Sequence, residues 1–366
     1  MPKLIDRLPE GLPADSNVSL IGSTGTLDGS GRDQKSRGRS ETTGDRRPRE
    51  QRDTAAQRPS PAQAVAEHTN LLVDLPTSVP LTWEPLLAIP GMRKVFDERH
   101  PIADEQSIIA FLLSDRQNPS SVLSAVSAAR ENMRSARDAL PREAWQALND
   151  QYLYVTSHHV EGVDRRSRNR FLDKVIAENQ RFVGIVQTTM NRDAAFHMLH
   201  LGRNIERADM TSRVLDVRAE GLLAAGDASR PAHDDVQWAA VLRTLSGLQA
   251  YHRRMRAPIE ARLTVDFILR DPDFPGSVSH CLGEAEGVLA DLPRSDAAQA
   301  AARAARRTLH DVAVAPLADL HDGLDDVQMA VNAVHEEVAA TYFSPPPLAP
   351  NGSAVASFPA QTQSSD

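Results

Sequence analysis

MLHLGRNIERADMTSRVLDVR, Met198 to Arg218, reads as one long helix that carries charge where a helix is ordinarily apolar. Wound at about 100° per residue, it sets Met198, Leu201, Ile205, Ala208 and Leu215 on one apolar stripe. Phe196, Leu199, Met210, Val214 and Val217 form a second stripe on the opposite side. Two stripes predict packing on both sides. Gly202, Glu206, Asp209 and Arg213 run between the stripes, and Arg203 and Arg207 fall inside the second one. Buried charge is costly unless it is paired and hydrogen-bonded, so these groups are expected to be wired to each other or to something bound. Gly202 lies one turn before Glu206, where a missing side chain lets a partner approach the backbone.

Two readings of these charges stand side by side. One is a structural lattice of ion pairs at helical spacing: Arg203 with Glu206, Asp209 with Arg213, Arg213 with Asp216. The other is a polar pocket in a helical bundle that holds an anionic or zwitterionic ligand. Gly202, Arg203, Glu206, Arg207, Asp209 and Arg213 then line it. In that reading Glu206 is the candidate catalytic acid or base, and Arg203, Arg207 and Arg213 bind carboxylates.

Other constellations are weaker. His197 and His200 share a helix face and His158-His159 lie upstream, but zinc needs a third protein ligand and a shaped site. No Glu-x-x-His tetrapeptide of the bundle di-iron kind is present. No metal site and no cofactor are expected. Cys281 falls on an apolar helix face, the setting of an inert buried thiol. Ser121 and Ser277 sit in first helical turns, where capping explains them. Asp115 and Asp271 each end a Phe-aliphatic-Leu helix, where a carboxylate opposes the helix dipole. They are expected to clasp a corner between two helices.

Composition frames the rest. The 366 residues are 41% hydrophobic and 25% charged, ordinary for a globular chain. A net charge of −8 argues against a general nucleic-acid binder, and no apolar run is long enough for a membrane span. Aromatic residues make up 4%, and the Ala- and Leu-rich middle favours helix over sheet. The single cysteine excludes an internal disulfide and, with no signal peptide at Met1 to Pro13, places the protein in the cytoplasm. Residues 1–63 and 344–366 are too polar, or too rich in proline, to bury a core and are expected to be disordered. A strand at Val18–Ile21 is the one exception entertained.

Residues 64–343 read as an all-α, bundle-like domain. Helices are expected near Val79–Ile89, Asp104–Leu113, Pro119–Leu140, Arg142–Ser157, Arg165–Met190 and Arg192–Leu223. More follow near Asp235–Met255, Arg262–Leu269, Pro275–Leu292, Ala297–Val312 and Pro316–Tyr342, with Asn118 as an N-cap and Pro119, Pro275 and Pro316 in first turns. Phe111-Leu-Leu-Ser-Asp115 and Pro119-Ser-Ser-Val122 recur as Phe267-Ile-Leu-Arg-Asp271 and Pro275-Gly-Ser-Val278, a shift of about 156 residues. Trp83 and Trp238 nearly share it. The pattern predicts two halves, about 64–190 and 191–343. A counterpart of the 198–218 helix should lie near Thr42–Thr69. Arg47, Glu50 and Asp53 match in charge, but the apolar stripe is missing and Pro48 interrupts it. The first half should therefore leave an apolar flank uncovered near Val79–Ile89 and Arg165–Met190.

Leu201-Gly-Arg-Asn-Ile-Glu206-Arg207-Ala-Asp209 resembles the signature of the alpha-E family, a bacterial helical domain named for its Glu-Arg pair. Trp83-Glu-Pro-Leu-Leu87, Asn118-Pro-Ser-Ser121, Thr189-Met-Asn-Arg-Asp193 and Asp271-Pro-Asp-Phe-Pro275 are similar to further family segments in the same order. The resemblance covers about Asn70 to Phe343. It implies a duplicated layout that opens with a Glu-Arg helix, from which residues 42–69 depart. It also implies a domain fused to, or encoded beside, a circularly permuted ATP-grasp protein, often with a transglutaminase-like protein nearby. Such sets look like peptide or amide ligation systems. The expected function is an accessory or substrate-presenting partner of such a ligase. The alternatives are an enzyme of amide chemistry built on Glu206 and its arginines, or an oligomeric scaffold, a homo-oligomer without catalysis.

Overall fold

A computed structural model describes residues 83–224, 234–314 and 319–343. The expected segment 1–63, the strand at Val18–Ile21, the Arg47–Asp53 match, Pro316 and the tail 344–366 lie outside the described residues. Thirteen α-helices and no strand occur among the described residues, in keeping with the all-α class. They are α1 (Pro85–Ala88), α2 (Arg93–Asp97), α3 (Glu105–Leu113), α4 (Val122–Ser135), α5 (Arg142–Val163), α6 (Arg168–Thr189) and α7 (Ala194–Ala224). Then come α8 (Asp234–Thr244), α9 (Leu248–Met255), α10 (Ala261–Arg270), α11 (Val278–Ala290), α12 (Asp296–Asp311) and α13 (Leu320–Val338). A single π-helical turn, Ala339–Phe343, ends the series. No described helix is long and apolar enough to cross a membrane.

Local chemistry sets the boundaries. Asp104 opens α3 with a reciprocal cap: its carboxylate accepts from the Ser107 amide at 2.8 Å, and the Ser107 hydroxyl accepts from the Asp104 amide at 3.1 Å. Pro119 and Pro275 do not start helices. Ser121 and Ser277 are the N-caps, each hydroxyl accepting from the amide three residues on. Asn118 instead braces the turn, donating to the Phe111 carbonyl and accepting from the Ser120 amide, both at 2.9 Å. The expected helix Asp235–Met255 is broken into α8 and α9, because Ser246 takes a left-handed conformation (φ 56°). The short α2 was not anticipated; it closes on Phe96, which is fully buried.

α7, α11, α12 and α13 pack side by side as a four-helix ring, each touching its two neighbours, around the largest core. α4, α5 and α6 form a smaller sheaf, with α3 laid across α5. α7 serves both. Its first turn places Ala195 and Phe196 in one core with Ala129, Met133, Phe182 and Val186 of the sheaf. The rest of it places Leu201, Ile205, Ala208 and Leu215 in the ring.

The uncovered flank is not found on the described part of α1 or on α6, neither of which has an exposed large apolar side chain. Two charged residues of α6, Arg168 and Glu178, are themselves buried. Arg168 bonds Glu105 at 2.8 Å and lies 5.5 Å from the Trp83 ring. Glu178 bonds Lys174 at 2.5 Å and Arg181 at 3.1 Å. Paired charge thus lines part of the buried surface of α6.

Candidate functional site

No residue of α7 from Ala194 to Arg218 is exposed. The first stripe is buried throughout, with none of its five members above 2% accessible. Of the second stripe, Phe196, Met210 and Val214 are buried, and Leu199 and Val217 are half-buried. The charged residues are therefore enclosed by packing on two sides, and the question is what each one meets.

The anticipated lattice forms in part. Asp209 and Arg213 pair at 2.9 Å. Arg213 does not reach Asp216, which instead accepts from His321 of α13 at 2.6 Å. Lower still, Arg218 pairs with Asp234 of α8 at 2.6 Å and lies 5.4 Å from the Trp238 ring. Arg203 does not pair with Glu206. With the Gln187 amide oriented so that its oxygen faces the guanidinium, that oxygen accepts from both terminal nitrogens of Arg203, at 3.1 and 3.2 Å. The Arg203 Nε is buried without a hydrogen-bond partner. Burial and the neighbouring Arg207 pull the Arg203 guanidinium down to about 10.

Arg207 donates to the Pro275 carbonyl at 3.1 Å, and Thr211 one turn below donates to the Gly276 carbonyl at 3.1 Å. α7 is thereby seated on the corner loop between α10 and α11. That loop is organised by Asp271. Its carboxylate accepts from the Asp273 and Phe274 amides, both at 2.9 Å, and pairs with Arg254 at 3.0 Å. Its carbonyl accepts from the Ser277 hydroxyl. Phe274 is folded against Gly276, where an added Cβ would stand 2.5 Å from the ring, so any side chain there would have to push Phe274 aside. The corner between α3 and α4 is built alike. Asp115 accepts from the Gln117 amide at 2.8 Å and pairs with Arg99 at 2.7 Å, and the Ser121 hydroxyl donates to the Asp115 carbonyl at 2.6 Å. Asp115, Ser121, Asp271 and Ser277 thus brace helix corners, and the second corner is the one α7 touches.

Glu206 is buried at 8% accessibility and is held by at least one polar or electrostatic interaction. Gly202 is buried on the same helix. Arg192, and His200 in a role other than metal ligation, complete the upper surroundings. Arg192 lies 3.9 Å from the centre of the Phe196 ring and donates to the Gln187 carbonyl at 2.7 Å. His200 stands 3.4 Å from Glu284 of α11, and burial, with Arg203 adding to it, holds its imidazole down at about 4. Cys281 is enclosed beside Pro275, and burial pushes its thiol up to about 12, leaving it unreactive.

The seam where the end of α6 meets α7 and α11 therefore holds three guanidiniums, those of Arg192, Arg203 and Arg207. Among the described residues none of them has a carboxylate partner within salt-bridge distance. Two acids are set near them: Glu206, between Arg203 and Arg207 on α7, and Glu284, which faces His200. Elsewhere, Asp216, His321 and Asp325 gather ligand atoms within 4.8 Å of one another, a possible cation cluster at the lower end of α7. Arg203 and Arg207 were legible on their helix, whereas Asp216 and His321 are brought together from 105 positions apart.

No curated protein and no solved structure matches the chain. Two Glu-Arg pairs occur in the helical region, Glu98-Arg99 and Glu206-Arg207, and the second lies on α7. Residues 61–343 match the Alpha-E model, described as a predicted alpha-helical domain with a conserved ER motif, and the chain belongs to the Alpha-E family.

Proposed function

We infer that the chain is an accessory, substrate-presenting partner of an ATP-grasp enzyme that forms peptide or amide bonds, in a set that includes a transglutaminase-like protein. The resemblance of its ordered segments supports this reading. The observation that carries it furthest is the excess of cations at the α6–α7–α11 seam of an otherwise acidic chain. Amide formation consumes one carboxylate and one amine. A surface with unmatched guanidiniums suits the carboxylate and repels the ammonium. The test is affinity purification of the full chain from native lysate, with identification of what is retained. Recovery of an ATP-grasp protein is the expected result. Recovery of further copies of the chain alone would overturn it in favour of a scaffold.

One observation favours a second reading, catalysis by the chain itself. Glu206 is a buried carboxylate on the helix strip next to those cations, a setting in which acids and bases are tuned. Under that reading the purified chain would form or cleave amides unaided, and Glu206→Gln would abolish the activity while leaving the helical signal intact.

A further inference from the structure

We propose that the α6–α7–α11 seam is a carboxylate-binding site, and that the Gln187 side chain is the placeholder a ligand displaces. With its oxygen turned to the guanidinium, as the hydrogen-bonding pattern requires, the Gln187 amide bridges both terminal nitrogens of Arg203, at 3.1 and 3.2 Å. That is the place a carboxylate takes on a guanidinium when both terminal N–H groups are used. A glutamine amide has the shape of a carboxylate and none of its charge. It satisfies the two terminal nitrogens but adds no opposite charge to a cation that burial and Arg207, against the weaker pull of Glu284, hold down at about 10. Arg207 holds only a carbonyl oxygen, that of Pro275. Arg192 holds the carbonyl of Gln187 itself and the face of Phe196. It therefore ties the placeholder's backbone carbonyl to the first turn of α7. Burial, with Arg203 adding to it, holds the His200 imidazole down at about 4 although Glu284 stands 3.4 Å away.

The neighbouring cations on the same helix show that this is not how the chain treats arginine in general. Arg213 and Arg218 each have a carboxylate within 2.9 Å. An anion between Arg203 and Arg207 would relieve their mutual repulsion. The ligand is a carboxylate that carries no ammonium beside it, since a free amine would face three cations. The site deepens the partner reading by naming the component it would present, and it rests on that reading only for its biological use.

The probe is N-acetylglycine, a carboxylate with no amine, titrated into the full chain at fixed ionic strength by calorimetry or by NMR. N-acetylglycinamide serves as the uncharged control and inorganic phosphate as the second oxyanion. Saturable binding of N-acetylglycine is expected, with none for the amide. Arg203→Gln and Arg207→Gln should each weaken it at least tenfold, and Arg306→Gln on α12 should leave it unchanged. Gln187→Glu is the sharper variant. A built-in carboxylate should fill the place, raise the melting temperature and abolish N-acetylglycine binding. Absence of saturable binding, equal binding of the amide, or binding of phosphate alone would overturn the proposal. So would a Gln187→Glu protein that binds the probe as well as the parent does. The lysate experiment separates the two readings. A recovered ATP-grasp protein without probe binding defeats the site alone. Probe binding without a recovered partner defeats the partner reading alone.

Discussion

The upper and lower turns of α7 carry the same residue type under similar enclosure and are provided for differently. Below, Arg213 faces Asp209, and Arg218 faces Asp234 with the Trp238 ring nearby. Above, Arg203 meets a neutral amide and Arg207 a backbone carbonyl. The lower arginines look like structure: each removal from water is offset by an opposite charge. The upper ones lack that offset within the described residues, as groups do whose counter-charge arrives with a ligand. Sites kept for binding often lower the stability of the free protein, and this contrast makes the cost measurable residue by residue.

The largest effect is expected at the lower end. Arg218→Ala would leave Asp234, whose side chain is 11% accessible, without its partner, and would take the cation away from Trp238. A loss of about 3–5 kcal/mol is expected in a denaturant titration. A loss under about 1 kcal/mol would mean that the lower pairs are not structural and would dissolve the contrast.

Glu206 belongs to the upper region, one residue before Arg207. Glu206→Gln keeps the shape and removes the charge from a position with 8% accessibility. A loss of about 1–3 kcal/mol is expected, and an unchanged melting temperature would remove Glu206 from the buried network. The same titration with N-acetylglycine present tells whether Glu206 opposes or supports the anion above it.

Protonation gives a smaller effect with a definite sign. His200 is held neutral down to about 4 by burial and Arg203, and burial also lowers His335 and His159. In the unfolded chain all three take up a proton near the ordinary value of about 6.5. Stability should therefore fall as pH drops from about 6.5 towards 4, by on the order of 1 kcal/mol from His200 after allowance for its partial exposure. His321 works the other way. Its bond to Asp216, with Asp325 and Asp322 adding to it, raises its pKa. Its contribution is complete below about 6.5 and is lost as pH rises through the folded value. Melting curves between pH 4 and 8 for the parent and for His200→Gln check this: the variant should show the shallower acid limb.

Much of the fold could be read from local pattern, and the site only half. The periodicity of residues 198–218 gave both stripes of α7, and the Ser-capped corners followed from first-turn chemistry. The break at Ser246 carries a local signal, the Ser246-Gly247 turn dipeptide, which the helical periodicity on either side overrode. The closed flank of α6 depends on Arg168 reaching Glu105 across 63 positions, which no window of periodicity contains. The seam was missed for the same reason. Arg203 and Arg207 were visible on their helix, whereas Gln187 and Arg192 enter only because α6 ends beside α7. Asp216 and His321, 105 residues apart, are a further case.

The most direct test is the change in stability when Arg203 loses its charge but keeps most of its bulk. The full chain carrying Arg203→Met is melted without ligand beside the parent and beside Arg218→Ala. The account expects Arg203→Met to melt at the parent temperature or up to a few degrees above it, since an uncompensated buried cation is replaced by an apolar side chain of similar length. A fall of the size seen for Arg218→Ala would contradict it. Arg203 would then be a structural cation like those below it, with no place kept for a ligand.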